Sequence, residues 1–226
     1  MTDVSRREWL KQAGLAGAAA AALPELSRVL LVRRTLGEGR VLAQAAPRVL
    51  SAAEFATRDA FCARLIPTDD NGPGAREARA AYYIDDALGG ALASSRAGYV
   101  VGLAATDAYA RIKQPGATSF STLSEAIQDE VIADIERGSV PGFGSDPGSS
   151  TAFFNLVRGH TLQGMFGDPA YGGNAAFVGW DLLGYPGVRL TVAAADQDMA
   201  RPPTRNHKGA YDYPMFSQMG PDVRAR

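Results

Sequence analysis

From residue 51 onward, apolar side chains recur along the chain at helical intervals, broken at a few points by clustered Pro and Gly. Ser51-Ala52-Ala53-Glu54 reads as a capping box, and Phe55, Phe61, Cys62, Leu65 and Ile66 follow at helical spacing until Pro67 stops the run. Thr68-Asp69-Asp70-Asn71-Gly72-Pro73-Gly74 is a turn. Its acids lack the alternating ligands and closing glutamate of a calcium loop. A second helix is predicted over residues 75–92, and a third over 99–113, ended by Gln114-Pro115-Gly116. Thr122 and Glu125 form another capping box, opening a helix that carries Leu123, Ile127, Val131 and Ile135 on one side and stops at Gly138. Residues 140–149 read as a loop, and a fifth helix starts at Ser150 or Thr151 and runs through Phe153, Phe154, Leu156, Val157, Leu162 and Met165. Period-two alternation is confined to a weak strand candidate at residues 188–192. The pattern therefore predicts a mainly α protein: a compact domain of about five helices, a Gly/Pro/aromatic-rich C-terminal loop region and an extended tail.

The loop region differs in kind from the helices before it. Residues 164–187 crowd glycines and prolines together with Met165, Phe166, Tyr171, Trp180 and Tyr185, side chains that ordinary linkers lack. Two readings stand side by side: the aromatics cap this domain's own core, or they contact a partner. Residues 196–226 have few apolar anchors, yet carry Tyr211, Tyr213, Met215 and Phe216 beside Pro202, Pro203 and Pro214. They form either an extended arm lying on another protein or an unstructured terminus. The candidate interface residues are thus Met165, Phe166, Tyr171, Trp180, Tyr185, Tyr211 and Tyr213.

Upstream of the helices the layout changes again. Arg6, Arg7, Trp9 and Leu10, followed by a weakly apolar Ala/Gly run and the small residues Ala43-Gln44-Ala45, have the order of a twin-arginine export signal. The plainer reading is a solvated helix start followed by alanine helix formers. The run from Ala13 to Leu23 is too short to span a bilayer, and Glu25, Arg28, Arg33 and Arg34 close it off. The organisation read from the sequence is a leader over residues 1–45, a helical domain over 46–195 and an arm over 196–226. The twin-arginine machinery carries folded proteins, usually because a cofactor was inserted beforehand in the chain or in a companion, and its destination is the periplasm.

The chemistry of the chain favours a companion. The formal net charge is −1, without basic runs, which excludes nucleic acid as a partner. There is one cysteine and there are two histidines, so no internal disulfide, haem-attachment motif or cysteine-based zinc site is available. Cys62 sits among apolar neighbours where a free thiol packs as a small buried group; pairing with a cysteine of another chain is the alternative. No nucleotide-binding glycine fingerprint follows residue 45, and no helix carries a Glu-x-x-His pair. His160 lies in a helical apolar pattern, near Asp168 in sequence but without a nucleophile motif, and Asp168 and Asn174 read as turn formers. No catalytic, cofactor-binding or metal-ligating residue is assigned.

Phe61-Cys62-Ala63-Arg64-Leu65-Ile66-Pro67-Thr68-Asp69-Asp70, Gly72-Pro73-Gly74-Ala75, Tyr83-Ile84-Asp85, and above all Gly164-Met165-Phe166-Gly167-Asp168-Pro169-x-Tyr171-Gly172-Gly173-Asn174 with Gly179-Trp180-x-Leu182-x-Gly184-Tyr185-Pro186-Gly187, resemble the gluconate 2-dehydrogenase subunit 3 family. The resemblance implies a non-catalytic small subunit of a membrane-associated sugar or polyol dehydrogenase complex. Its partner would be a large FAD-containing subunit of the glucose-methanol-choline type, in some complexes joined by a multihaem cytochrome c with haem c. The small subunit would supply the export signal and assist maturation of that partner. In this reading Cys62 is the candidate for a disulfide to the large subunit. A stand-alone periplasmic scaffold or binding protein, and a self-contained periplasmic enzyme, are the alternatives from other classes.

Overall fold

In the computed structural model, residues 46–144, 149–198, 200–201 and 203–216 are described, and those from Pro47 on belong to one compact unit. Six α-helices, with short 3-10 turns between and after them, account for most of it: α1 (Ala52–Leu65), α2 (Ala80–Leu88), α3 (Arg96–Lys113), α4 (Glu125–Glu136), α5 (Ser149–Phe166) and the short α6 (Val178–Leu183). No strand occurs among the described residues, so the expected mainly α class holds. Residues 188–192 form no strand; Val188 N–H donates to Lys208 C=O (2.8 Å) and Asn206 N–H to Pro186 C=O (2.8 Å), and the pairing goes no further.

α1 begins as its sequence dictates. Glu54 N–H donates to Ser51 Oγ (3.3 Å) while Ser51 N–H donates to Glu54 Oε2 (2.8 Å), so two donors that helix geometry leaves without partners are satisfied reciprocally. After Ile66 the chain folds back through a turn pinned by the reciprocal Asp69–Gly72 backbone bonds (3.1 and 3.0 Å), and Ala75 N–H returns to Ile66 C=O (2.8 Å). At Gly74 a Cβ would run into the backbone of residues 66–68, so only glycine lets the two segments touch.

Three predicted helix starts are displaced: α3 begins at Arg96, three residues early, and those of α2 and α4 move for identifiable reasons. α2 begins at Ala80 rather than at residue 75 because Arg79 takes the left-handed conformation (φ 58°) and Ala78 C=O is engaged by Ala175 N–H (3.1 Å), far along the chain. It also ends early, at Leu88, where Gly89 and a 3-10 turn over Ala93–Ser95 lead into α3. The Thr122–Glu125 capping box does not form. Thr122 Oγ1 instead donates to Ser119 C=O (2.8 Å) in a 3-10 turn over Phe120–Thr122 that buries Phe120 completely. Glu125, freed of a capping role, takes Arg64 Nη1 at 2.6 Å.

The core lies where α1, α2, α3, α4 and α5 meet, and α2 and α5 form the most extensive helix pair. Phe61, Ile84, Leu88, Leu103, Val131, Ile132, Ile135 and Val157 are wholly or almost wholly enclosed. Phe61 meets Phe120 and Phe153 at centroid separations of 5.8 and 6.0 Å, with Phe153 edge-on. Gly102 of α3 lies against the Phe153 ring, where any Cβ would collide, so this glycine sets how closely α3 and α5 approach.

One buried ion pair fixes where the chain enters the domain. The Asp85 carboxylate accepts N–H groups from Arg48 (2.5 Å), Val49 (3.3 Å) and Leu50 (3.1 Å). The fully buried Arg58 stands 3.6 Å from it and lies over the Phe55 ring at 4.6 Å. Burial pulls the Arg58 guanidinium below its ordinary value, and the neighbouring Cys62 and Asp85 oppose that fall.

Candidate interaction surface

Residues 164–187 are shaped by close backbone contacts around a few buried apolar side chains, Met165 and Trp180 among them. Asn174 is the organising residue: wholly buried, at a left-handed φ of 44°, it accepts Gly179 N–H at Oδ1 (2.9 Å) and donates from Nδ2 to Gly167 C=O (2.9 Å). Its own N–H goes to Gly164 C=O (2.7 Å). The asparagine thus takes up free N–H groups in the first turn of α6 and ties that helix to the end of α5. At Gly173 and Gly179 a Cβ would enter the backbones of Gly164 and Met165, so the turns pack main chain against main chain. Trp180 closes the arrangement by donating Nε1–H to Phe166 C=O (2.8 Å).

The seven aromatic and Met candidates separate by depth. Met165 is fully buried and Trp180 is 6% exposed, so both belong to the interior of this chain, and Phe166 is half-buried against the core. Tyr171 and Tyr185 are 46% and 40% exposed, and Tyr211 and Tyr213 are half-buried. Leu182 and Leu183 join the surface at 38% and 52%, residues not singled out as contacts by the sequence reading; the signal was an apolar pair between Trp180 and Gly184. Gly184, at φ 71°, ends α6 and lets Tyr185 fold back edge-on to Trp180 at 4.8 Å. The outcome is a shell of exposed Tyr and Leu fastened to a rigid backbone. Large exposed apolar side chains on a rigid support are what association surfaces are made of.

Residues 203–216 lie on this same region. His207 stacks on Phe177 at 5.1 Å and reaches Asp181 Oδ1 through Nε2 (2.9 Å). The Tyr211 and Tyr171 hydroxyls meet at 2.6 Å, and this bond, followed by burial, pushes the Tyr171 hydroxyl up to about 12. Asp168 serves both segments, accepting Ala170 N–H at Oδ1 (2.9 Å) and Ala210 N–H at Oδ2 (2.7 Å).

The residues that hydrolytic chemistry would need are used elsewhere. His160 is buried on α5, where its Nδ1 lies 3.0 Å from the Tyr99 hydroxyl and its ring stacks on that of Tyr99. Burial lowers the His160 pKa and raises that of Tyr99 well above its ordinary value, which fits a Tyr O–H donating to a neutral imidazole. His160 and Asp168 are not brought together: Asp168 is occupied by backbone donors. Cys62 is enclosed, accepts Thr161 Oγ1–H at 3.3 Å, and has its thiol pushed up to about 11 by burial. Among the described residues no group of His, Cys, Asp and Glu is arranged to hold a metal ion, and no helix is long and apolar enough to cross a membrane. Arg6, Arg7, Trp9 and Leu10 lie outside the described residues.

A family model described as gluconate 2-dehydrogenase subunit 3 matches residues 52–187, from the start of α1 to the glycine that follows the aromatic surface. No curated protein and no solved structure matches.

Proposed function

The chain belongs to the gluconate 2-dehydrogenase subunit 3 family, and from that premise we propose that it is the non-catalytic small subunit of a periplasmic, membrane-associated dehydrogenase acting on a sugar or polyol. Its partner in this reading is a large FAD-containing subunit of the glucose-methanol-choline type, and a multihaem cytochrome c completes some such complexes. Flavin and haem reside in those chains. This chain contributes the twin-arginine signal at Arg6 and Arg7, steadies the large subunit while it matures, and holds it during transit.

The observation that carries the proposal is the exposed set Tyr171, Leu182, Leu183 and Tyr185, raised on a backbone that Asn174 and three glycines hold rigid, within the segment that the family model matches. Large apolar side chains grouped in one segment and left in water are candidates for burial against a partner. Burying each exposed Tyr or Leu against a partner returns about 25 cal/mol per Å² of apolar surface removed from water. A complex that survives export needs an apolar-centred interface of the obligate kind, and the rigid backbone keeps the entropy of docking low.

Export and assembly are tested together by co-producing the chain with its flavoprotein subunit and exchanging Arg6 and Arg7 for Lys. Both proteins are expected to stay in the cytoplasm, with the FAD-dependent dehydrogenase activity retained there. Normal arrival of the flavoprotein in the periplasm beside the double variant would overturn the export role.

A further inference from the structure

Residues 204–213 are held largely by polar contacts. Asn206 N–H donates to Pro186 C=O (2.8 Å), Asn206 Nδ2 to Val188 C=O (2.8 Å), Tyr213 Oη to Val188 C=O (2.6 Å) and Ala210 N–H to Asp168 (2.7 Å). Arg205 pairs with Asp181 at 3.1 Å. Beside these polar contacts stand two ring contacts, His207 on Phe177 and Tyr211 on Tyr171, but among the described residues from 188 to 216 none belongs to the buried apolar core. Ordering one residue's backbone costs about what one net hydrogen bond returns, so a segment held this way sits near balance and opens locally before the rest of the molecule. His207 adds strain, because it is a non-glycine residue at φ 46°.

The seat is nevertheless shaped for this segment. At Gly187 a Cβ would enter the Asn206 carboxamide, and at Gly209 it would enter the Asp168 carboxylate, so both strands of the contact have been cut back to fit. What the segment covers is aromatic. The His207 ring lies flat on Phe177, which meets Trp180 at 5.5 Å, and Trp180 meets Tyr185 at 4.8 Å. Lifting it bares the Phe177 face and the part of the half-exposed Tyr171 ring that Tyr211 covers, adding to the already exposed Leu182, Leu183 and Tyr185.

We propose that residues 204–213 are a releasable strap, which in the free subunit covers the Phe177 side of the aromatic surface and peels away when the flavoprotein subunit docks there. This rests on the accessory-subunit reading. The strap keeps the apolar surface of the unassembled chain smaller than that of the assembled one, and so suppresses self-association before assembly. Because only the open form presents the whole surface, the strap lowers apparent affinity by the fraction of time it is open.

The test compares the full chain with one ending at Arg201, both carrying Trp9→Phe so that Trp180 is the sole tryptophan. In the free proteins, truncation is expected to make Trp180 more accessible to acrylamide while leaving far-ultraviolet dichroism helical. Titrated against the isolated flavoprotein subunit, the truncated chain is expected to bind roughly tenfold tighter, and in the full-length complex the amides of Val188, Asn206 and Ala210 exchange faster than in the free chain. Tyr211→Phe, which removes only the hydroxyl contact to Tyr171, shifts affinity in the same direction by less. Weaker binding on truncation, or slower exchange of those three amides in the complex, overturns the strap and makes the segment part of the interface, with the accessory reading intact. Absence of binding by both forms overturns the accessory reading itself.

Discussion

Between Pro47 and Phe166 the large apolar side chains turn inward, and among the described residues only Val100, Val101 and Ile112, all on α3, stand substantially in solvent. From Gly167 to Phe216 the relation reverses: Trp180 alone joins the buried apolar residues, while Tyr171, Leu182, Leu183, Tyr185, Leu190, Val192 and Met215 are exposed. The first region is held by what its side chains bury. The second is held by what its backbone bonds to, through Asn174, Gly164, Gly173, Gly179 and the Asp168 carboxylate. The second region buries Trp180 but leaves most of its large apolar side chains outward, and the proposed docking role rests on that division: stability from the helical body, recognition by the C-terminal segment.

Substitutions inside the body break the comparison on its stability side and carry the largest effects. Phe61→Ala is expected to lower unfolding free energy by about 3–5 kcal/mol, and Asp85→Ala by about 3–5 kcal/mol, because it strands the buried Arg58 and three backbone donors. Urea titration followed by dichroism measures both. Asn174→Ala comes next, at about 2 kcal/mol, since it leaves the buried Gly179 N–H without its acceptor and places alanine at positive φ. Its effect should be local, seen as a red shift of Trp180 emission before the helices melt.

Tyr185→Ala and Leu183→Ala sharpen the comparison on its recognition side. Each should leave stability within about 0.5 kcal/mol while weakening capture of the flavoprotein subunit roughly tenfold, measured by titration calorimetry. A stability loss matching that of Phe61→Ala would erase the distinction between the two regions. The smallest effect concerns pH. Burial lowers His160 below its ordinary 6.5, so the unfolded chain binds a proton there more readily than the folded one. The corresponding stability is present above 6.5 and is lost as pH falls below it; His160→Gln should flatten the fall of the denaturation midpoint in that range.

How much of this was legible in the sequence follows the same division. α1, α3 and α5 could be read because Ser51 with Glu54, Pro115 with Gly116, and the spacing of Phe153, Phe154 and Val157 are local signals that tertiary structure did not override. The start of α2 was hidden because the carbonyl that would have continued the helix is claimed by Ala175, and no pattern near residue 78 encodes that contact. The start of α4 was hidden because burial of Phe120 favours the Ser119–Thr122 turn over the Thr122–Glu125 box. In the aromatic segment the residue types were plain but their depth was not. Trp180 points in and Tyr185 out because Gly184 reverses the chain between them, a geometric fact that composition does not carry. Asn174 read as a turn former, and it is one; its bonds to Gly164, Gly167 and Gly179 show only when α5 and α6 are brought together.

The most direct measurement is affinity purification of the chain and of a Tyr171→Ala, Leu183→Ala, Tyr185→Ala triple variant, each co-produced with the flavoprotein subunit and assayed for flavin absorbance and dehydrogenase activity in the eluate. The account predicts a flavin-bearing, active complex for the unaltered chain, and for the triple variant a folded protein that elutes alone and turns nothing over. Equal recovery of flavoprotein with both, or dehydrogenase activity from either chain purified without it, would contradict the account.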